Sequence, residues 1–195
     1  MTLPTMDRRA AVSKLLAARD GALVVTGLGS PSYDVHAAGD VDGNYYLWGA
    51  MGGAALTGLG LAQAQRDKRV MVITGDGEML MAFGALATIS VARPTNLDII
   101  VLDNQHFGET GMQPSHTGQG IAFHKVAAAA GFAETAELRG LEQVDALVET
   151  LRKPAAGPRL FVLKIKAENL PRSLPPRDAA FIKNRFRAHL GLATC

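Results

Sequence analysis

Apolar positions follow two spacings that alternate along this chain. Short continuous runs at 22–25, 69–74, 98–102 and 160–165 have the length and β-branched content of strands buried on both faces. Between them lie stretches with helical spacing. Residues 5–19 set Val12, Leu15 and Leu16 on one side, with Arg8, Lys14 and Arg19 elsewhere. Residues 49–65, rich in Gly and Ala, read as a closely packed helix, and 79–91, 121–130 and 141–151 complete the set. Buried strands separated by helices predict a doubly wound α/β fold, a mostly parallel sheet with helices on both faces. A Pro-rich stretch at 171–176 sets off a last helix at 178–190. The chain therefore reads as one domain, 1–195, with 171–195 a C-terminal helical arm.

Composition narrows the classes available. Hydrophobic residues make up 48% and charged residues 19%, which fits a packed core and excludes a disordered or collagen-like chain. Twenty Lys and Arg against 18 Asp and Glu leave a formal +2 at pH 7. That falls short of the basic excess of a nucleic-acid or membrane-surface binder. One cysteine, Cys195, excludes a disulfide framework and any multi-cysteine zinc or iron–sulfur site, and it fits a reducing cytoplasm. Residues 1–10 hold Asp7, Arg8 and Arg9 and no apolar run, so no signal peptide is expected. The most apolar stretch, 50–64, is broken by glycines and too short to span a bilayer.

The candidate chemistry sits at two strand ends. One run leads into Gly75-Asp76-Gly77 and another into Asp103-Asn104. In a parallel sheet both turns open at the carboxyl edge, where open α/β folds bind ligands. Neighbouring strands lie about 4.8 Å apart, so Asp76 and Asn104 on adjacent strands can reach one small ion. A carboxylate, an amide oxygen and a main-chain carbonyl form an all-oxygen set suited to Mg²⁺, which completes its octahedron with phosphate oxygens and water. The glycines let the backbone approach closely, and a helix starting near Glu78 turns its free N–H groups to the same place. Together these features describe a diphosphate site, whereas a Gly-Asp-Gly taken alone can be just a turn. Gly27-Leu28-Gly29-Ser30-Pro31-Ser32 falls short of a dinucleotide-binding fingerprint, because it lacks the third glycine and Pro31 argues against a helix start. His36 reads as a loop residue on the ligand side, solvated or catalytic. His124 falls in a helix, and His189 is exposed on the arm.

Spacing adds specificity. Between Gly77 and Asn104 lie 26 residues, enough for one helix and one strand. This resembles the motif of thiamine diphosphate enzymes, a GDG followed by Asn a little under thirty residues later. Gly49-Ala50-Met51-Gly52 is similar to the family's cofactor-clasping turn, and the likeness runs over about 22–165. The resemblance implies Mg²⁺ held by Asp76, the Asn104 side chain and the His106 carbonyl. It implies a diphosphate held by the amides of Gly77 and Glu78, with Gly75, Phe107 and Gly108 beside it. The Gly49 carbonyl would accept from the pyrimidine amino group, and Met51 would wedge between the cofactor's rings; Met51 also suits a core position. Glu78 stands where the family often has Ser or Ala, so its side chain is expected to turn away.

In this family a glutamate on a separate pyrimidine-binding domain activates the cofactor, and that domain has no room here. The resemblance therefore implies a pyrimidine-binding α-type subunit carrying the activating Glu, and pairing of two copies of this chain. Asn104-Gln105-His106-Phe107-Gly108-Glu109-Thr110-Gly111 and Gln113-Pro114-Ser115-His116-Thr117-Gly118 are most similar to the split sulfopyruvate and phosphonopyruvate decarboxylase group. The activity implied is decarboxylation of a small 2-oxo acid. Carboligation of the acetolactate synthase kind, an oxidative transfer and a non-catalytic cofactor-binding remnant stand as alternatives. The polar, glycine-rich loop 107–120 reads as a mobile flap, with His116 and the His106 imidazole as candidate catalytic acids or bases.

Overall fold

In the computed structural model, which describes residues 4–194, six strands form one sheet: β1 (Leu23–Thr26), β2 (Asn44–Tyr46), β3 (Val70–Gly75), β4 (Leu97–Asp103), β7 (Glu134–Leu138) and β8 (Arg159–Lys164). A separate hairpin pairs β5 (His106–Phe107) with β6 (Gln113–Pro114). The sheet runs β2–β1–β3–β4–β8–β7, with every neighbour parallel. Its central strands alternate strictly despite their continuous apolar runs. Leu23, Val25, Val70, Val72, Ile99 and Val101 face one layer of helices, α3 (Ala54–Ala64), α5 (Ala85–Ala92) and α6 (Phe123–Ala130). Val24, Met71, Ile73, Ile100 and Leu102 face the other, α1 (Arg8–Ala17), α2 (Ser30–Ala37) and α7 (Gln143–Arg152). Each fully buried aliphatic side chain contributes about 1.5–3 kcal/mol, so two opposed apolar layers fix the sheet in place. The expected doubly wound α/β fold is the fold observed. Among the described residues, no helix is long and apolar enough to cross a membrane.

Strand order determines where a ligand can sit. From β1 the chain winds outward to β2, then returns to lay β3 on the other side of β1. Winding reverses there, so the carboxyl ends of β1 and β3 open a crevice. The helix α4 (Asp76–Met81) starts directly at the end of β3. A close approach supports that edge: a Cβ on Gly58 of α3 would lie 2.2 Å from Val72 Cγ2.

Several elements differ from the sequence expectation. The helix expected at 79–91 is two, α4 and α5, and α4 takes in the Asp76-Gly77 turn itself. The helix expected from Gly49 begins only at Ala54, because Gly49 and Gly52 adopt φ of +68° and +84° in the preceding turn. Pro31 does not bar a helix: it occupies the first turn of α2, where its missing N–H costs nothing. His36 accordingly sits on α2, with Nδ1 2.7 Å from Ser173 Oγ. Residues 166–178 cross the carboxyl edge, and α8 (Ala179–His189) packs against β2, with Phe186 edge-on to Tyr45. His189 is exposed. Cys195 lies outside the described residues.

Candidate active site

At the switch point a cleft of about 130 Å³ collects most of the residues marked by the sequence. Met51, Gly75, Asp76, Gly77, Glu78, Asn104, His106, Phe107 and Gly108 all line it. Met51 is 45% exposed on its wall, which removes the core reading of that residue. Gly49 is exposed just outside the lining, two residues before Met51. His116 is exposed too, at the start of a 3₁₀ turn, and does not reach the cleft.

Asp76 is the electrostatic centre. The β3–β4 register pairs Gly75 with Leu102, which sets Asp76 beside Asp103. Asp76 is 2% exposed, and among the described residues no cationic side chain pairs with it. Its Oδ2 faces the hydroxyls of Ser115, at 2.5 Å, and Thr117, at 3.1 Å; Thr117 is nearer to Asp103 Oδ1, at 2.7 Å. Two hydroxyl protons thus serve three acceptor contacts, and Oδ1 of Asp76 receives no side-chain donor. Burial, and after it repulsion from Asp103, push the Asp76 carboxyl up to about 6 against the two hydroxyls. Asp103 itself is neutralised by Lys164, its register partner on β8, with Nζ 2.5 Å from Oδ2.

The next two positions are fixed by close packing. A Cβ on Gly77 would stand 2.8 Å from the Phe107 ring, so only glycine leaves the ring where it is. Glu78 directs its carboxylate to the amides of Leu28, at 3.0 Å, and Ala54, at 3.3 Å. A Cβ on Gly27 would sit 1.8 Å from Glu78 Oε2, so glycine at 27 makes room for this contact. Glu78 thereby ties the β1 turn, the start of α3 and the Gly-Asp-Gly turn together. Burial raises its pKa, opposed by these hydrogen bonds.

After β4 the chain turns sharply. Gln105 takes a φ of +63°, a left-handed conformation that side chains rarely adopt. The turn lets Asp103 Oδ1 accept from the Gln105 amide and Asn104 Oδ1 accept from the His106 amide, each at 2.9 Å. His106 Nδ1 lies 2.8 Å from the Asn104 carbonyl, which can only accept. Nδ1 therefore carries the proton in that contact, and Nε2 has no hydrogen-bond partner among the described residues. Residues 106–120 form the β5–β6 hairpin and two 3₁₀ turns, anchored by buried Ser115 and Thr117. The sequence reading places these two hydroxyls in the polar flap and gives them no contact with Asp76. Their Ser-x-Thr spacing is the one signal that both side chains face the same way.

These donors suit a hard cation carrying a diphosphate. Among the described residues no three His, Cys, Asp or Glu side chains converge on a metal position. A cation here must therefore draw on one carboxylate, an amide oxygen, main-chain carbonyls and its own anionic ligand. The buried, unneutralised Asp76 carboxylate beside the bare Gly75 and Gly77 backbone meets that requirement.

Comparisons with known proteins agree with this geometry. Residues 33–165 match the family model described as "Thiamine pyrophosphate enzyme, C-terminal TPP binding domain". The chain is 37% identical over 123 residues to a sulfopyruvate decarboxylase subunit beta of Methanocaldococcus jannaschii, a match covering 63% of this chain and 64% of that one. It is 37% identical over 185 residues to a phosphonopyruvate decarboxylase of Streptomyces viridochromogenes, covering 93% of this chain and 45% of that one. Both matches thus leave more than a third of the relative uncovered. A thiamin diphosphate-dependent enzyme structure from Mycobacterium smegmatis superposes with a TM-score of 0.69 at 21% identity, over 84% of this chain and 32% of that one, a likeness of fold. The chain belongs to the thiamine pyrophosphate enzymes, as a C-terminal-type domain that binds this cofactor.

Proposed function

We propose that this chain is the β-type subunit of a split thiamine diphosphate-dependent decarboxylase acting on small 2-oxo acids of the sulfopyruvate and phosphonopyruvate class. The observation that carries the reading is the buried Asp76 carboxylate, left without a cation at the switch point of the sheet. Asp76 Oδ1, Asn104 Oδ1 and the His106 carbonyl hold Mg²⁺, while the Gly77 and Glu78 amides, flanked by Gly75, Phe107 and Gly108, take the diphosphate. Met51 would support the cofactor from the cleft wall, and the Gly49 carbonyl would accept from its pyrimidine amino group. When bound, thiamine diphosphate supplies the electron sink for loss of carbon dioxide. His106 Nε2, facing no protein donor, is the cleft's candidate for holding or moving a proton. His116 is exposed and outside the lining of this half-site, so the acid–base role we propose for it requires substrate held on the partner's side.

The pyrimidine end and its activating glutamate come from an α-type partner. Leu56, Met81, Phe83 and Val91, on α3, α4, α5 and the turn between the last two, are exposed apolar side chains of the kind interfaces cover, and they support pairing of two such chains as well. We assign the reaction to the cytoplasm on the single cysteine. Calorimetric titration with thiamine diphosphate in the presence and absence of Mg²⁺ tests the reading. Binding should need Mg²⁺ and vanish in Asp76→Ala with the fold intact by circular dichroism. Equal binding by the parent and Asp76→Ala would sink it. Decarboxylation should appear only when the pyrimidine-binding subunit is added.

A further inference from the structure

We infer that Arg8, on α1, is a cofactor-anchoring residue that receives the terminal phosphate of the bound diphosphate; the inference rests on the site proposed above. Of the residues lining the cleft, Arg8 alone carries a permanent positive charge, against the carboxylates of Asp76, Glu78 and Glu109. It is no solvated surface arginine, being 3% exposed. Its Nε donates to Asp34 Oδ2 at 2.7 Å and its Nη1 to the Glu168 carbonyl at 2.8 Å, which fixes the plane of the guanidinium. Its remaining nitrogen, Nη2, has no acceptor among the described residues.

Charge counting shows that Arg8 is not neutralised by its own neighbour. Asp34, fully buried, is shared: Arg9 Nε donates to Oδ1 at 3.1 Å while Arg8 holds Oδ2. Two arginines on one carboxylate leave a net positive charge. Arg9 directs its Nη2 to the Pro171 carbonyl and lies outside the cleft, so the surplus faces the ligand through Arg8. A buried cation in this state is costly unless an anion completes it. The terminal phosphate carries the larger share of a diphosphate's charge at neutral pH. A fixed guanidinium with one free edge matches phosphate oxygens through charge-assisted hydrogen bonds.

The test uses the full chain with Mg²⁺ and two probes, thiamine diphosphate and thiamine monophosphate. Binding is followed by calorimetry and by the fluorescence of Trp48, the only tryptophan. Arg8→Met should weaken diphosphate binding roughly tenfold to a hundredfold and monophosphate binding by less than about threefold. Arg8→Lys, which keeps the charge without the fork, should fall between. Arg9→Met removes the other arginine on Asp34 and should leave diphosphate affinity within about threefold of the parent. Parent-like diphosphate binding by Arg8→Met would overturn the inference; an acidic substrate tail as the true anion would give that result. Equal losses in Arg8→Met and Arg9→Met would overturn it too, since the effect would then run through Asp34. Asp76→Ala is titrated alongside. If it loses binding while Arg8→Met does not, only the role of Arg8 fails. If the parent does not bind, or Asp76→Ala binds as the parent does, the site itself fails and Arg8 with it.

Discussion

Replacing Lys164 with methionine tests whether the cleft's electrostatics are built the way the geometry describes. Asp103 and Lys164 are opposite each other in register, and both are almost completely buried. Among the described residues their contact is the only full charge compensation Asp103 has, its other donors being the Thr117 hydroxyl and the Gln105 amide. Lys164→Met keeps the volume and removes the charge, leaving a buried carboxylate next to a second one at Asp76. Breaking one side of a buried pair costs about 3–5 kcal/mol, a large share of the roughly 5–15 kcal/mol that holds a domain together. With a urea m-value of about 2 kcal/mol/M, the midpoint should fall by about 1.5–2.5 M. The double variant Asp103→Asn/Lys164→Met removes both charges and should recover most of that loss, since a neutral replacement of a buried pair is often tolerated. Urea melts of the parent, both single variants and the double variant, run without metal at pH 7.5, give the coupling directly. A Lys164→Met midpoint within about 0.5 M of the parent, roughly 1 kcal/mol, would refute the reasoning. So would a double variant as unstable as the sum of its parts.

Other perturbations reach the neighbouring groups. The Asp76 carboxyl stands at about 6 in the folded chain, against an ordinary 3.8. A folded pKa raised above the unfolded one stabilises fully below the unfolded value and is lost as pH rises through the folded value. Metal-free parent protein should therefore lose on the order of 2 kcal/mol relative to Asp76→Asn between pH 4 and pH 6.5 by urea melts, whereas parallel curves would contradict the assignment. Gly77→Ala drives its methyl against Phe107, 2.8 Å away, and should lower Mg²⁺–thiamine diphosphate affinity at least about tenfold by calorimetry with little change in Tm. Gly58→Ala, 2.2 Å from Val72 Cγ2, should do the reverse: about 1–3 kcal/mol of lost stability in urea melts, with unchanged affinity per folded molecule.

What the sequence disclosed followed the range of the physics involved. The β3 and β4 turns were legible because strand, turn and helix start are specified by contiguous residues, and neighbouring strands then bring two such turns together. Edge strands were not. Asn44–Tyr46 is three residues long, and Glu134–Leu138 is polar and half-covered, so neither shows a buried run. Pro31 was misread because a proline inside a helix and one in its first turn look alike until the boundary is known. Ser115 and Thr117 lie in a polar, glycine-rich loop read as a flap, yet they are buried on Asp76. Arg8 counted as an ordinary charge on an amphipathic helix, while its burial depends on Asp34 and on Glu168, 160 residues away. The misses at Ser115, Thr117 and Arg8 are long-range polar contacts, which no local pattern of hydrophobicity records.

The same contacts explain why a ligand is drawn to one carboxylate among several. Glu109 meets Arg172 at 3.0 Å near the surface, where water screens both. Glu78 is held by the main-chain amides of Leu28 and Ala54. Asp103 has the Lys164 ammonium. Asp76 has two hydroxyls and its own main-chain amide but no cation among the described residues, and it starts α4 between two glycines, buried against Asp103. A divalent cation entering the cleft gains most where desolvation has already occurred and no counter-charge is present. At Glu78 or Asp103 it would have to displace existing donors. Thus Gly-Asp-Gly and the distant Asn supply ligand atoms, but Lys164, Ser115 and Thr117 decide which oxygens remain available. A chain with the motif and without those supports would keep the appearance of the site and lose its selectivity for the metal.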